Sequence, residues 1–216
     1  MRIVLIAAKQ LALAKTRLAS ALPSSTERAA LAAAMFRDVL SAAASAQTAD
    51  GIAVVTSDTV LMAEARAARA TVIDEQSPRG LNVAVALATD QLMRSGAQTI
   101  CTILSDIPLI TGADIDEALA AATTHDRGVV LVPSRDFSGT NLIVRTPPDI
   151  IATQFGRMSL VRHRENCREL NLPCEVLRLL RPALDLDLPA DLIEFARTPT
   201  ITHTYAHLNR LGMLHG

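Results

Sequence analysis

Three aspartates that lie far apart in the chain have the strongest potential for chemistry. Asp106 follows a short apolar run at 101–104 that is rich in β-branched residues, the pattern of a strand buried on both faces. Pro108 prevents strand hydrogen bonding from continuing, so we expect Asp106 at the carboxyl end of that strand, where open α/β sheets bind ligands. Asp185 and Asp187 alternate with leucines, which predicts two carboxylates on one face of a strand. Carboxylates grouped at a strand end are preferred ligands of a hard divalent cation such as Mg²⁺.

Both acidic positions also have a structural interpretation. Aspartate is common at the start of a loop, so Asp106 alone would indicate little. The alternating segment could be an exposed strand, and Asp187 could cap the helix that Pro189 is expected to begin.

Basic side chains follow the first predicted strand, residues 2–8. Lys9, Lys15 and Arg17 lie in a predicted loop or loose turn, and no Gly-x-Gly-x-x-Gly or Walker-type loop occurs there. Lysine as a point charge and arginine as a fork could bind phosphates in place of such a loop. The alternative is that all three are ordinary surface charges.

Two loops with small and hydroxyl residues are candidate anion sites. Thr140 and Asn141 end a long connection in which backbone amides could converge on an anion; a simple hairpin turn is the alternative. Gly156 precedes a helix that we predict to begin at Ser159, and helix N-termini attract phosphates. Ser159 could instead serve only as the helix cap.

A third loop, residues 75–82, joins a strand end to the next predicted helix. Such a junction is a candidate nucleotide contact, and it contains Gly80 and Asn82. His163 and Cys167 share a helix face in a later segment, but no further ligands accompany them, so zinc is not expected.

Alternating strand and helix patterns surround these candidates. The predicted strands are 2–8, 52–56, 71–74, 101–104, 128–133 and 174–180, and the predicted helices are 25–46, 59–70, 81–94, 112–122, 159–170 and 190–197. This alternation predicts a three-layer, Rossmann-like α/β fold with a mostly parallel mixed sheet. The segment 141–145 returns after a loop rather than a helix, so it is expected to be antiparallel. Residues 1–198 form one predicted domain, and the tail 199–216 could dock on it or pair two copies as a homodimer.

Composition excludes several functional classes. Half of the 216 residues are hydrophobic and the net charge is −1, so no field recruits nucleic acid or an anionic membrane. The chain has four Phe, one Tyr and no Trp, which argues against a single-strand nucleic-acid platform. No apolar run reaches transmembrane length, and three cysteines without Cys-x-x-Cys indicate a reducing, cytoplasmic location.

Taken in order, these motifs resemble the 2-phospho-L-lactate guanylyltransferase family, which acts in the synthesis of the deazaflavin coenzyme F-420. The resemblance spans nearly the full length and rests on Lys9, Lys15-x-Arg17, Gly80-Leu81-Asn82, Asp106-x-Pro108-Leu109, Gly139-Thr140-Asn141, Phe155-Gly156-x-x-Ser159-x-x-x-His163 and Leu184-Asp185-Leu186-Asp187. It implies a nucleotidyltransferase fold of the glycosyltransferase-A type that joins GTP to a phosphorylated three-carbon acid and releases pyrophosphate. Family members use 2-phospholactate, phosphoenolpyruvate or 3-phosphoglycerate. The Ala- and Arg-rich composition suggests a GC-rich bacterial genome, which favours the latter two acids.

The resemblance also implies roles for individual residues. Magnesium would be held by Asp106, Asp185 and Asp187, and the catalytic residues would be Lys15 and Asp106. The phospho-acid would be bound by Thr140, Asn141, Gly156, Ser159 and His163. The nucleotide would be bound by Lys9, Lys15, Arg17, Gly80 and Asn82. One departure from the family is Phe137-Ser138 before the Gly-Thr-Asn turn, where smaller residues are common, and it could reshape the acid pocket.

The chemistry would need no general base. An oxygen of the acid's phosphate is already largely ionised at neutral pH, because its second pKa is about 6. Related enzymes, such as molybdenum-cofactor or sugar-phosphate nucleotidyltransferases, typically carry a Gly-rich loop after the first strand, and none occurs between Ala7 and Leu18. A catalytically silent nucleotide-binding module is the alternative from another class.

Overall fold

A computed structural model of the protein describes residues 1–77, 79–124 and 126–214. The strands are β1 (Arg2–Ala7), β2 (Gly51–Thr56), β3 (Thr71–Asp74), β4 (Thr99–Leu104), β5 (Gly128–Pro133), β6 (Thr140–Thr146) and β7 (Cys174–Val176). The helices are α1 (Ser25–Ser45), α2 (Thr59–Ala67), α3 (Leu81–Arg94), α4 (Gly112–Ala121), α5 (Ser159–Glu169), α6 (Pro189–Ala196) and α7 (His203–Arg210). Short 3-10 turns occur at Leu11–Leu13, Thr16–Leu18 and Ala122–Thr124.

The seven strands form one sheet in the order β3-β2-β1-β4-β6-β5-β7. Strands β1 to β4 are parallel to their neighbours among themselves, and β7 is parallel to β5. Strand β6 is antiparallel to both β4 and β5. The predicted mixed, mostly parallel sheet is therefore confirmed, as is the antiparallel segment.

Each face of the sheet is buried by helices, which gives the three predicted layers. Val4 and Ile6 of β1 pack in one cluster, with residues of α1, α2 and α4. Ile3 and Leu5 pack in another, with residues of α3 and α5. Because successive strand side chains point to opposite faces, a strand covered on both faces must be apolar at nearly every position.

The sequence prediction was wrong at two neighbouring segments. Only Cys174–Val176 of the predicted strand 174–180 is a strand, and residues 183–188 form none. The alternation in the second segment reflects burial, because Leu184 and Leu186 insert into a third apolar cluster between α1, α6 and α7. Nor does Asp187 cap α6, since the backbone N–H groups of Asp187 and Leu188 donate to the Asp191 carboxylate.

The C-terminal helix lies on the body of the protein. The first N–H groups of α7, from His203 and Thr204, donate to the two Asp38 carboxylate oxygens at 2.7 and 2.9 Å. Leu208 of α7 packs in the third cluster beside Phe195. Within the described residues, no helix is both long and apolar enough to cross a membrane.

Candidate active site

A cavity of about 790 Å³ opens at the carboxyl ends of β1 and β4. Its size falls in the range of small-molecule sites. Among the residues singled out from the sequence, its lining includes Lys9, Lys15, Arg17, Asp106, Thr140, Asn141, Gly156, Ser159, Asp185 and Asp187. Most of the predicted site residues thus meet around one cavity, although they come from distant parts of the chain.

Lys15 lies between two of the predicted carboxylates. Its Nζ donates to Asp106 Oδ2 at 2.8 Å and to Asp187 Oδ1 at 2.7 Å, and only 7% of its side chain is exposed. Burial alone would lower the pKa of Lys15, but Asp106 and Asp187 raise it on balance. The ammonium is therefore fixed in its charged form at this wall of the cavity.

Asp187 has a lowered pKa for the same reason. Burial would raise the pKa of this carboxyl, but Lys15, together with Arg17 and Lys9, lowers it overall. The Arg17 guanidinium lies 3.8 Å from Asp187, and 73% of its side chain is exposed to solvent. Arg17 is thus free to reach into the cavity.

Asp185 lies in an environment that disfavours its charged form. Its pKa is raised to about 6, first by burial and then by the charge of Asp106. Asn141 Nδ2 donates to Asp185 Oδ1 at 3.2 Å and to the carbonyls of Pro182 and Ala183, which holds this segment in place. The backbone N–H of Leu186 donates to the Asp106 carbonyl at 3.0 Å, so the segment 183–188 is bound directly to the end of β4.

Within residues 1–77, 79–124 and 126–214, no group of three His, Cys, Asp or Glu side chains is arranged to ligate a metal. Lys15 holds the position between Asp106 and Asp187. The donor set nevertheless suits a hard cation, because Asp106 Oδ1 is buried without a hydrogen-bond partner in the described chain. A buried acceptor of this kind costs free energy until a partner satisfies it.

A second part of the cavity wall is formed by the start of α5. Ser159 is the first residue of the helix, is 1% exposed, and its Oγ has no partner within the described part of the chain. The N-cap is Met158, in a left-handed conformation with φ of 59°, so the alternative that Ser159 only caps the helix is wrong. An unpartnered hydroxyl at a helix N-terminus is suited to an anion.

His163 lies behind Thr140 and does not line the cavity. The backbone N–H of Gln154 donates to His163 Nε2 at 2.8 Å, which places the ring proton on Nδ1. His163 Nδ1 then donates to Thr140 Oγ1 at 3.1 Å, leaving the Thr140 hydroxyl proton for another acceptor. Burial, then Arg145 and Arg162, lower the pKa of His163 to about 4, which keeps the ring neutral.

The loop 134–139 does not form the anion nest that its small residues suggested. Asp136 accepts from the Ser138 N–H and from the hydroxyls of Ser134 and Ser138, and the Gly139 N–H donates to Ser134 Oγ. These bonds consume the loop's donors, so the hairpin-turn alternative between β5 and β6 is correct. Phe137 lies outside the cavity lining, under the Arg178 guanidinium at 5.0 Å, whereas Ser138 is part of the lining. An effect of Phe137-Ser138 on the shape of the acid pocket stays a prediction.

Gly80 and Asn82 also lie outside the cavity lining, whereas Leu81 between them is part of it. Two basic residues that sequence reasoning missed, Arg135 and Arg157, contribute to the lining. Arg157 is adjacent to the motif residue Gly156, and this adjacency was the available signal for it. No motif of the sequence indicated Arg135.

Comparison with known proteins places the chain in a family. The family model described as "Guanylyl transferase CofC like" matches residues 1–214. A phosphoenolpyruvate guanylyltransferase of Sphaerobacter thermophilus is 37% identical over 194 residues, covering 90% of this chain and 92% of the relative. A 3-phospho-D-glycerate guanylyltransferase of Phenylobacterium zucineum is 38% identical, covering 86% of this chain and 85% of the relative. A 2-phospho-L-lactate guanylyltransferase of Methanothermobacter thermautotrophicus is 32% identical, covering 92% and 85%.

Solved structures support the fold. A crystal structure described as a nucleotide-diphospho-sugar transferase, from Desulfovibrio desulfuricans, has a TM-score of 0.77 at 22% identity and covers 99% of this chain and 96% of its own. The structure of CMP:2-keto-3-deoxy-manno-octonic acid synthetase with CTP has a TM-score of 0.62 at 11% identity, covering 90% and 96%. The nucleotidyltransferase fold, the converging site residues and the full-length match lead to one conclusion: the chain belongs to the CofC-like family of guanylyl transferases.

Proposed function

We propose that this protein transfers GMP from GTP to the phosphate of a phosphorylated three-carbon acid, releasing pyrophosphate, as a step of coenzyme F-420 synthesis. The observation that carries this proposal is that two groups of polar side chains line the same cavity. One group is Asp106, Asp185 and Asp187 with Lys15, and the other is the Ser159 hydroxyl at the start of α5. The relatives named for this reaction match most of the chain.

In this proposal the phospho-acid lies at the start of α5. Its phosphate would accept from Ser159 Oγ and from the Thr140 hydroxyl, whose orientation His163 sets. Gly156, at φ of 121°, lets the backbone approach the ligand closely. Because His163 is neutral, it adds no positive charge here, and the anion would be bound by the uncharged hydroxyl donors of Ser159 and Thr140.

The triphosphate of GTP would lie along Lys9, Lys15 and Arg17. Arg17 is largely exposed and Lys9 is exposed, so both can fold onto the ligand. Lys15 is pre-oriented by its two carboxylates. Cations along the leaving pyrophosphate would stabilise the charge that develops there.

Magnesium would be held by Asp106 together with Asp185 and Asp187, for which the unpartnered Asp106 Oδ1 is the supporting observation. Bound there, it would reduce the repulsion between the two anionic substrates by withdrawing charge from phosphate oxygens. Burial and Asp106 raise the pKa of Asp185, and a bound cation would oppose this by favouring the charged carboxylate.

The transfer itself is a displacement at phosphorus. An oxygen of the acid's phosphate attacks the α-phosphorus of GTP, and the bond from that phosphorus to the oxygen bridging to the β-phosphorus breaks. The electron pair of that bond leaves with pyrophosphate. The attacking oxygen is already ionised, so no residue has to remove a proton.

The acid would be phosphoenolpyruvate or 3-phosphoglycerate, which the composition favours, with 2-phospholactate as the third candidate. The reaction would take place in the cytoplasm, the compartment indicated by the free thiols of Cys101, Cys167 and Cys174.

The test is an assay of pyrophosphate release from GTP and Mg²⁺ with each of the three acids in turn. We expect release that depends on one acid, together with a guanylylated acid of the corresponding mass. ATP, CTP and UTP serve as nucleotide controls, and a reaction without acid measures hydrolysis. Pyrophosphate release that is absent with all three acids, or equally fast without any acid, would overturn the proposal.

A further inference from the structure

Asn82 uses its side-chain amide to hold a backbone segment on the acid side of the cavity. Its Nδ2 donates to the Phe155 carbonyl at 3.1 Å, and its Oδ1 accepts from the Phe155 N–H at 2.7 Å. Both polar atoms of the amide are thus engaged with the backbone of a single residue, Phe155. Phe155 lines the cavity, whereas Asn82 does not.

The segment held in this way, residues 154–158, has a backbone that needs support. Gly156 has φ of 121° and Met158 has φ of 59°, and a non-glycine residue in the left-handed region is energetically unfavourable. The neighbouring N–H, from Gln154, donates to His163 Nε2 at 2.8 Å. Two consecutive amides are therefore fixed by side chains of two different helices, α3 and α5.

Gly80 makes this contact possible through its conformation. It is the N-cap of α3 with φ of 101°, and a Cβ at this position would meet nothing within 4 Å. The glycine is therefore required by the backbone conformation and not by packing against a protein atom of the described chain. It sets the start of α3 so that the second helical residue, Asn82, reaches Phe155.

We propose that Asn82 is a positioning residue for the phospho-acid site and not a contact to the nucleoside. It fixes the segment 154–158, which contains Gly156 and leads into Ser159, the first residue of α5. This inference rests on the proposed function, because it takes Gly156 and Ser159 as acid-binding residues.

The decisive readout is the division of the effect between the two substrates. Asn82→Ala removes both hydrogen bonds, and we expect KM for the acid to rise ~10-fold, which is the scale of losing one to two hydrogen bonds. KM for GTP should change less than about twofold. A rise in KM for GTP alone would show that Asn82 contacts the nucleoside and would overturn the proposal.

Asn82→Asp separates hydrogen bonding from packing. Aspartate has nearly the shape of asparagine but presents a carboxylate oxygen to the Phe155 carbonyl, where the amide donated. We therefore expect Asn82→Asp to raise KM for the acid at least as much as Asn82→Ala. Wild-type kinetics in Asn82→Asp would mean that only the volume of the side chain matters, contrary to the proposal.

Hydrogen–deuterium exchange gives a readout that is independent of activity. The Phe155 amide should exchange at least ~10-fold faster in Asn82→Ala, which removes the acceptor of its N–H, than in the wild type. Asn209→Ala, an exposed asparagine change on α7, should leave this exchange rate unaltered. An unchanged Phe155 exchange rate would overturn the positioning role. If exchange rises but no acid supports pyrophosphate release by the wild type, the proposed function fails while the structural role of Asn82 stands.

Discussion

Lys15 determines the charge balance of the cavity at the level of single residues. Its ammonium is surrounded by Asp106 and Asp187, and it is the one cation in direct contact with both among the described residues. A buried charge is stable only when it is paired. Loss of the Lys15 ammonium would therefore leave both carboxylates without their counter-ion, which costs free energy of folding.

Asp106→Asn should lower the rate of guanylyl transfer by about 100- to 1000-fold, the usual effect of removing one partner of an electrostatic clamp. The fold should be little affected, because Lys15 keeps its contact with Asp187. Steady-state rates at saturating Mg²⁺, with thermal unfolding as the control, check this. Full turnover of the variant would remove Asp106 from the catalytic role.

Lys15→Met should weaken the use of GTP and also destabilise the protein in the absence of Mg²⁺. Asp106 and Asp187 are partly exposed, at 23% and 39%, so solvent screening reduces the expected loss to about 1–2 kcal/mol. Added Mg²⁺ should restore more stability to the variant than to the wild type, because the cation replaces the ammonium. Denaturant unfolding with and without Mg²⁺ at constant ionic strength measures both the loss of stability and its recovery. Equal stabilisation of the two proteins would contradict the metal assignment.

His163 makes a pH-dependent contribution to stability. Its folded pKa of about 4 lies below the ordinary value of 6.5, so the folded state disfavours the protonated ring. The contribution is fully present above pH 6.5 and is lost as the pH falls through the interval from 6.5 to 4, by up to about 3 kcal/mol.

His163→Gln, which cannot titrate, should show a smaller loss of unfolding free energy between pH 7 and pH 5 than the wild type. Chemical denaturation at the two pH values measures the difference. Identical pH dependence in the two proteins would mean that folding does not lower the pKa of His163, which would contradict this prediction.

At the level of elements, Asp38 of α1 caps the N-terminus of α7 and so holds the two helices together. Burial raises the pKa of Asp38, although its bonds to the N–H groups of His203 and Thr204 oppose this. The N-terminus of a helix stabilises a carboxylate through its free N–H groups and its dipole.

Asp38→Ala should lower the unfolding free energy by about 1–2 kcal/mol, by the loss of this cap. Both KM values should remain within about twofold of the wild type, since the contact lies outside the cavity lining. Thermal unfolding and steady-state kinetics check the two statements. Asp90→Ala, on the exposed surface of α3, is the matched control. A Tm of Asp38→Ala equal to that of the control would show that α7 does not need this cap.

At the level of the whole molecule, the fold could be predicted because strands and helices alternate along the chain, and apolar residues recur with different periods in each. The predicted antiparallel β6 followed from a single feature, the return of the chain after a loop. The segment 183–188 was not readable, because alternation looks the same whether leucines face a sheet or insert between helices.

The sequence predicted most of the residues that line the site, but not the contacts between them. Asp106 could be placed from its position after β4, but no local pattern indicates that Lys15 lies between Asp106 and Asp187, which come from distant parts of the chain. The hydrogen bond between Asn82 and Phe155 joins residues 73 apart, and that between His163 and Gln154 crosses from a helix to the loop before it, so neither leaves a periodic signal. Pairing of two copies through the tail stays a prediction.

The most direct test of the central claim follows the oxygen atoms of the acid. With an acid labelled with ¹⁸O in its phosphate, attack at the α-phosphorus of GTP predicts that all label remains in the guanylylated acid and none enters pyrophosphate. Mass spectrometry of both products reads this in one reaction. Label in the released pyrophosphate, or unlabelled GMP in place of a guanylylated acid, would contradict the account.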